Sequence, residues 1–200
     1  MTPPQDASAV LVSDRNPTLP PTPSQPGTLI APGRDIFDPD AVRAQIAVAL
    51  DGLSDRAAMR NAAVAVLQQA QDTGRRVIAE AVDRDPLTAR RITRAYTYLT
   101  DGLVRTVLDV AQDHLHPNPM PSDIERMAVM AVGGYGRGEM APFSDVDLLF
   151  VTPWKMTASI ESVIESSLYM LWDLRLKVGH ASRTIRDCLR LGAEDFTIRT

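Results

Sequence analysis

The sequence predicts an α+β protein, a block of helices followed by a small mixed sheet with helices of its own. Three observations carry that prediction. Apolar residues recur at helical spacing from about residue 38 to residue 116. A connector, His116-Pro-Asn-Pro-Met-Pro121, is too rich in proline to continue a helix. Beyond it the chain turns to short apolar runs bounded by glycine and aspartate, as buried strands are. The organisation read from these shifts is a tail over 1–35, a helical region over 36–121 and a third segment over 122–200.

Eight prolines among Ser, Thr and Gly, from Pro3 to Pro32, leave the first 35 residues without a sustained hydrophobic period. Such a stretch reads as a disordered tail, either plain extended chain or a polyproline docking ligand. At Asp38-Pro39-Asp40 the pattern changes to a cap with proline in the first turn, followed by Val42, Ile46, Val48 and Leu50 at helical spacing. Ser54 or Asp55 caps a second helix carrying Met59, Ala63, Val66, Leu67 and Ala70, then Val77, Ile78 and Ala81 after an interruption expected at Gly74. Asp85-Pro86 closes it and opens a third, with Ile92, Ala95, Tyr96, Leu99, Leu103, Val107 and Leu108 on one face. Asp113, His114 and His116 stand at the expected fraying end, beside Pro117 and Pro119, and read as solvated rather than metal-binding.

After the connector, residues 126–132 and 146–151 are short apolar runs of the kind that form buried strands. Residues 158–174 return to helical spacing, with Ile160, Val163, Ile164, Leu168, Leu171 and Trp172 marking the buried stripe. A third strand is expected over 176–184. A last helix, carrying Ile185, Leu189, Ala193 and Phe196, runs to Thr200 without a capping signal, as though cut within an element. The expectation is a fragment with an incomplete sheet.

Composition bounds the function classes. A net charge of -4 and a pI near 5.4 argue against a sequence-independent grip on nucleic acid, which needs Lys and Arg to neutralise phosphates. No run approaches the ~18 apolar residues of a membrane span, and the N-terminus lacks the basic start and apolar core of a signal peptide. With Cys188 as its one cysteine, the chain can form no internal disulfide, and a cytoplasmic location in a reducing cytosol fits best.

The chemistry concentrates in residues 131–152, AVGGYGRGEMAPFSDVDLLFVT. On a strand, residues two apart face the same way, so Asp145 and Asp147 project together while Val146 and Leu148 point into the core. Paired carboxylates repel unless they share a proton or hold a cation between them. Mg²⁺ suits the pair, because it takes one or two carboxylates and leaves positions for water and substrate phosphates. Gly133 and Gly134 directly follow a predicted strand, where bare backbone can turn sharply and aim N–H groups at an anion. Neither a P-loop nor a dinucleotide fingerprint has this spacing. Ser144 can donate its hydroxyl to a phosphate or close the local turn, and Arg137 can meet phosphate or pair with Glu139.

Together, a strand, Gly-Gly, about ten residues and then Ser-Asp-x-Asp on a second strand resemble the nucleotidyltransferase superfamily of the DNA polymerase beta type. Two further blocks, residues 168–184 and Asp187-Cys188 with residues 195–200, narrow the likeness. With Gly-Gly-Tyr-Gly-Arg-Gly-Glu they are similar to the N-terminal part of the bifunctional uridylyltransferase/uridylyl-removing enzymes of bacterial nitrogen sensing. That resemblance implies transfer of UMP from UTP to a tyrosine of the P-II regulatory protein, with pyrophosphate released. It implies that Asp145 and Asp147 bind catalytic Mg²⁺ and that Gly133 and Gly134 hold the UTP phosphates. Lys177, Arg183 and Arg186 stand as neutralisers of the triphosphate or as a solvated basic edge.

Two departures accompany the likeness. Many members of the superfamily carry a third carboxylate on the next core strand, whereas residues 176–183 contain none, leaving Glu139, His180 or Ser182 for that place. The family also continues into a His-Asp phosphohydrolase domain and two ligand-sensing domains, and no His-Asp dipeptide occurs here. Uridylyl-removing activity is therefore not expected of this chain alone. The alternatives are an adenylyltransferase of the same fold or a catalytically silent nucleotide-binding fragment.

Overall fold

A computed structural model describes residues 28–119 and 125–194 of the chain. Four helices come first: α1 (Gly33–Ile36), α2 (Pro39–Leu50), α3 (Arg56–Arg84) and α4 (Ala89–Asp109), the last running into a wider turn of helix at Val110–Leu115. Strand β1 (Ala128–Ala131), the short turn α5 (Gly133–Gly136), β2 (Val146–Thr152), α6 (Ala158–Asp173), β3 (Val178–Thr184) and α7 (Ile185–Glu194) complete the order. The three strands form one sheet in the order β1-β2-β3. β1 runs antiparallel to β2, and β3 parallel to it. Parallel neighbours cannot be joined by a tight turn, so α6 supplies the crossover between them. The α+β class with a small mixed sheet is what the sequence predicted.

The predicted caps are present. Asp38 accepts hydrogen bonds from the N–H groups of Asp40 and Ala41 at 3.0 and 3.2 Å, with Pro39 in the first turn of α2. Asp55, not Ser54, caps α3 through the N–H of Ala58 at 2.8 Å. Each satisfies donors that the first helical turn leaves unpaired.

Three expectations need correction. Packed chain reaches back into the stretch read as tail: Leu29, Ile30 and Ala31 lie against the core, and the Arg91 guanidinium donates to the Leu29 carbonyl at 2.9 and 3.0 Å. The earlier part of the tail, like Met120, Pro121 and Phe196, lies outside the described residues. Second, α3 runs unbroken through Gly74. That glycine serves close packing, since a Cβ there would fall 2.5 Å from the Ile36 carbonyl oxygen and 2.7 Å from Leu99 Cδ1. Third, the apolar residues Val48, Trp172, Ile185 and Leu189 are 78%, 45%, 50% and 72% exposed and no residue of β1 is fully buried, so apolar spacing in α2, α6 and α7 and the apolar run of β1 overstate burial there.

Gly74→Ala therefore sets two effects against each other. Alanine gains about 1 kcal/mol of helix propensity, and overpacking costs about 1–3 kcal/mol. The clashing carbonyl is backbone and cannot swing aside, so the variant is expected to melt about 2–6 °C lower in a thermal scan.

One cluster of buried side chains joins the two segments, from Ile36 and Val42 through Leu99 and Leu103 to Leu148 and Phe150. The sequence boundary at the connector thus does not divide the core. His116, read as part of a solvated end, instead ties the helical block to α6, with Nε2 2.7 Å from Ser166 Oγ. Burial first, then the Arg56 charge, holds its imidazole below the usual histidine range, against the opposing pull of Glu165. A folded state that binds this proton less readily than the unfolded chain keeps its advantage above the ordinary histidine pKa and loses it as pH falls through the lowered one. Thermal melts between pH 7.5 and 5.5 should accordingly lose less in His116→Gln than in the parent.

Candidate active site

Strand β2 alternates as predicted, with Val146, Leu148, Phe150 and Thr152 buried and Asp147, Leu149 and Val151 half-buried on the other face. Asp145 is exposed immediately before the strand, at the alternation of Asp147. The turn carrying Gly133 and Gly134 is held beside this strand, because the Val132 N–H donates to the Asp147 carbonyl at 3.0 Å. Gly133 has φ of +61°, a conformation that glycine adopts without the Cβ penalty. Gly138 closes the segment in the same left-handed region, at φ of +70°.

The Asp147 carboxylate occupies a slot between two glycines. A Cβ on Gly133 would stand 3.1 Å from its Oδ2, and a Cβ on Gly179 would collide with its Oδ1. Gly179 is the register partner of Asp147 on β3. Sequence reasoning missed Gly179, since its meaning depends on parallel pairing across a crossover helix. The available signal was a glycine inside an otherwise strand-like run, which often marks a close approach.

The remaining predicted residues surround this slot in differing states. Ser144 Oγ accepts from the Ala141 N–H at 2.8 Å, while the Ser144 N–H donates back to the Ala141 carbonyl at 3.1 Å, so this serine closes the turn that delivers Asp145. Arg137 Nε donates to Glu139 Oε2 at 2.9 Å, with both side chains more than half exposed. Gly134 is 4.0 Å, measured from an ideal Cβ, from the Arg137 guanidinium. Lys177 is exposed at the start of β3, and its carbonyl accepts from the Val146 N–H at 2.7 Å, next to Asp145 in the chain.

The candidates for a third acidic position separate. His180 pairs with buried Leu148 and sets its ring 6.4 Å from that of Trp172, on the face of the sheet opposite Asp147. Ser182 follows it on that face, opposite Phe150. Glu139 is engaged by Arg137. Among the described residues, no group of three or more His, Cys, Asp or Glu comes together as a metal site. A two-carboxylate donor set still fits Mg²⁺, which keeps several waters and binds through one or two carboxylates plus phosphate oxygens. Gly133 and Gly179 place no side chain of their own against the Asp147 carboxylate.

A family model described as glutamate-ammonia ligase adenylyltransferase matches residues 24–176, which include the helical block, the glycine-rich turn and both aspartates. The chain belongs to this nucleotidyltransferase family. Among its curated relatives, one from Ruegeria pomeroyi is 62% identical over 82% of the chain and 18% of its own length. Another, from Cereibacter sphaeroides, is 55% identical over 86% of the chain and 19% of its own length. A third, from Phenylobacterium zucineum, is 48% identical over 82% of the chain and 18% of its own length. All three are named bifunctional uridylyltransferase/uridylyl-removing enzyme, and the chain spans about a fifth of their length. No solved structure matches the chain. Among the described residues no helix is long and apolar enough to cross a membrane.

Proposed function

We propose that this chain carries the nucleotidyl-transfer site of a uridylyltransferase. It moves UMP from UTP to a tyrosine of the P-II regulatory protein in the cytoplasm, and pyrophosphate leaves. The seating of Asp147 between Gly133 and Gly179 carries this reading, because it joins a turn suited to phosphate with a carboxylate suited to a cation. The names of relatives at 48–62% identity favour uridylyl transfer within the family.

In the reaction, the tyrosine oxygen bonds to the α-phosphorus and the bond from that phosphorus to the bridging oxygen breaks. The tyrosine proton passes to solvent or to a base outside the residues assigned here. Asp145 and Asp147 would hold Mg²⁺, which supplies Lewis-acid stabilisation of charge on the attacking and leaving oxygens. The Gly133 and Gly134 backbone lines the phosphate side. Ser144 keeps the approach to Asp145 in its turn, and Lys177 adds positive charge at the same end of the sheet. Arg137 exchanges Glu139 for a phosphate oxygen at little cost, because an exposed ion pair contributes only about 0–1 kcal/mol. Positioning and fixed charge, rather than covalent chemistry by the protein, provide the rate.

The family model shares the fold and is described by adenylyl transfer, which leaves one second reading, transfer of AMP in the same site. Incubating the chain with P-II protein, Mg²⁺ and labelled UTP or ATP separates the two. Label transferred from UTP at least about tenfold faster than from ATP is expected, since ~1.4 kcal/mol of discrimination suffices for that ratio. Faster transfer from ATP would establish the adenylyl reading, and nucleotide bound without transfer would make the domain a silent module.

A further inference from the structure

We propose that Asp101 and Tyr135 form a latch through which the helical block fixes the glycine-rich turn against Asp147. Both are then positioning residues for nucleotidyl transfer, an inference that rests on the function proposed above.

The turn Gly133–Gly136 has three glycines in four residues and little stiffness of its own. Tyr135 is its one large side chain, and it is only 4% exposed. Its hydroxyl donates to Asp101 Oδ1 at 2.8 Å, reaching a residue of α4 that lies 34 positions earlier. The other end of the turn meets the catalytic strand, through Gly133 beside the Asp147 carboxylate and the Val132 N–H on the Asp147 carbonyl. Tyr135 is therefore the tether that sets how the backbone of Gly133 and Gly134 stands over the carboxylates.

Packing alone does not account for an acid at position 101. Burial raises the Asp101 carboxyl above the usual carboxylate range, while the Tyr135 hydrogen bond and the Arg105 charge pull it down. A half-buried carboxylate facing a phenol is a poorer filler than an apolar side chain of similar volume. It does provide a directional, charge-assisted hydrogen bond, roughly twice as strong as a neutral one. The latch also gives the helical block a part in the chemistry, although it holds neither proposed metal ligand.

Tyr135→Phe removes only the hydroxyl and keeps the buried ring, so it separates tethering from filling. Three readouts are taken on the same chain: thermal midpoint, hydrogen exchange at the amides of residues 133–138, and kcat/KM for UTP-dependent labelling of P-II. The latch predicts a midpoint lower by only a few degrees, since Tyr135→Phe removes one bond of the fold, with faster exchange confined to the turn and kcat/KM lower by about 10- to 100-fold, the equivalent of one hydrogen bond to a charged group. Asp101→Ala should match it, the double variant should be no worse than either single, and Asp101→Asn should recover part of the loss because its amide oxygen still accepts. Parental exchange and kcat/KM in Tyr135→Phe would overturn the latch. Additive losses in the double variant would show that the two residues act separately and would also overturn it. If the parent chain labels nothing from UTP while exchange in the turn still rises, the nucleotide reading fails. The positioning claim then falls with it, leaving a purely structural tie.

Discussion

Asp147→Asn is expected to lower UMP transfer by about 10³-fold or more, because metal stabilisation of transition-state charge is worth several kcal/mol and each 1.36 kcal/mol is a factor of ten. Asp145→Asn should act in the same direction, and the double variant should add little, since the two carboxylates serve one ion. The fold should not suffer. Asp145 is exposed and Asp147 only half-buried, so replacing either by a near-isosteric neutral amide removes mutual repulsion without opening a cavity. Quantified label transfer alongside a thermal melt checks both halves. A variant that loses transfer only in proportion to its loss of folded protein would remove the site assignment.

The second large effect is expected at a residue that touches no substrate. In Gly179→Ala the new methyl group would clash with Asp147 Oδ1. The clash falls on the end of a side chain, which can rotate away, so the strand survives. What moves is the carboxylate. A misplacement of about 1 Å in a catalytic group can cost ~10²-fold in rate, whereas alanine in a strand is no worse than glycine for stability. Gly179→Ala should therefore lose about 10²-fold in kcat with a thermal midpoint close to the parent's. Gly192→Ala is the natural control, since a Cβ there meets open space. Equal loss in both variants, or none at Gly179, would show that Asp147 does not depend on the slot.

These two predictions differ in how visible their residues are in the sequence. Asp145, Asp147, Gly133 and Gly134 were legible because their meaning is local: a two-residue strand period and a turn following a strand. Gly179 and Tyr135 were not, because each acts on a residue brought close by register or tertiary packing, Gly179 on Asp147 and Tyr135 on Asp101. Gly74 shows the same limit in a helix. Local propensity reads it as an interruption, but the approach of the Ile36 carbonyl decides the matter. Trp172 errs in the other direction. Its spacing places it on the apolar stripe of α6, yet it stands beside the rings of Tyr169 and His180 at the β3 edge of the described sheet and stays 45% exposed.

The helical elements were legible for a different reason. Caps such as Asp38 and Asp55 state where helices begin, and apolar stripes on α3 and α4 state which faces are buried. What periodicity does not convey is that these helices share one core with the sheet.

The most direct test of the central claim is the Mg²⁺ dependence of UTP binding, measured by calorimetry on the parent chain and on Asp147→Asn. Mg²⁺ is expected to tighten UTP binding to the parent by at least about tenfold, a coupling of ~1.4 kcal/mol, and the variant is expected to lose this gain. Equal UTP affinity in the two proteins, with and without Mg²⁺, would contradict that claim.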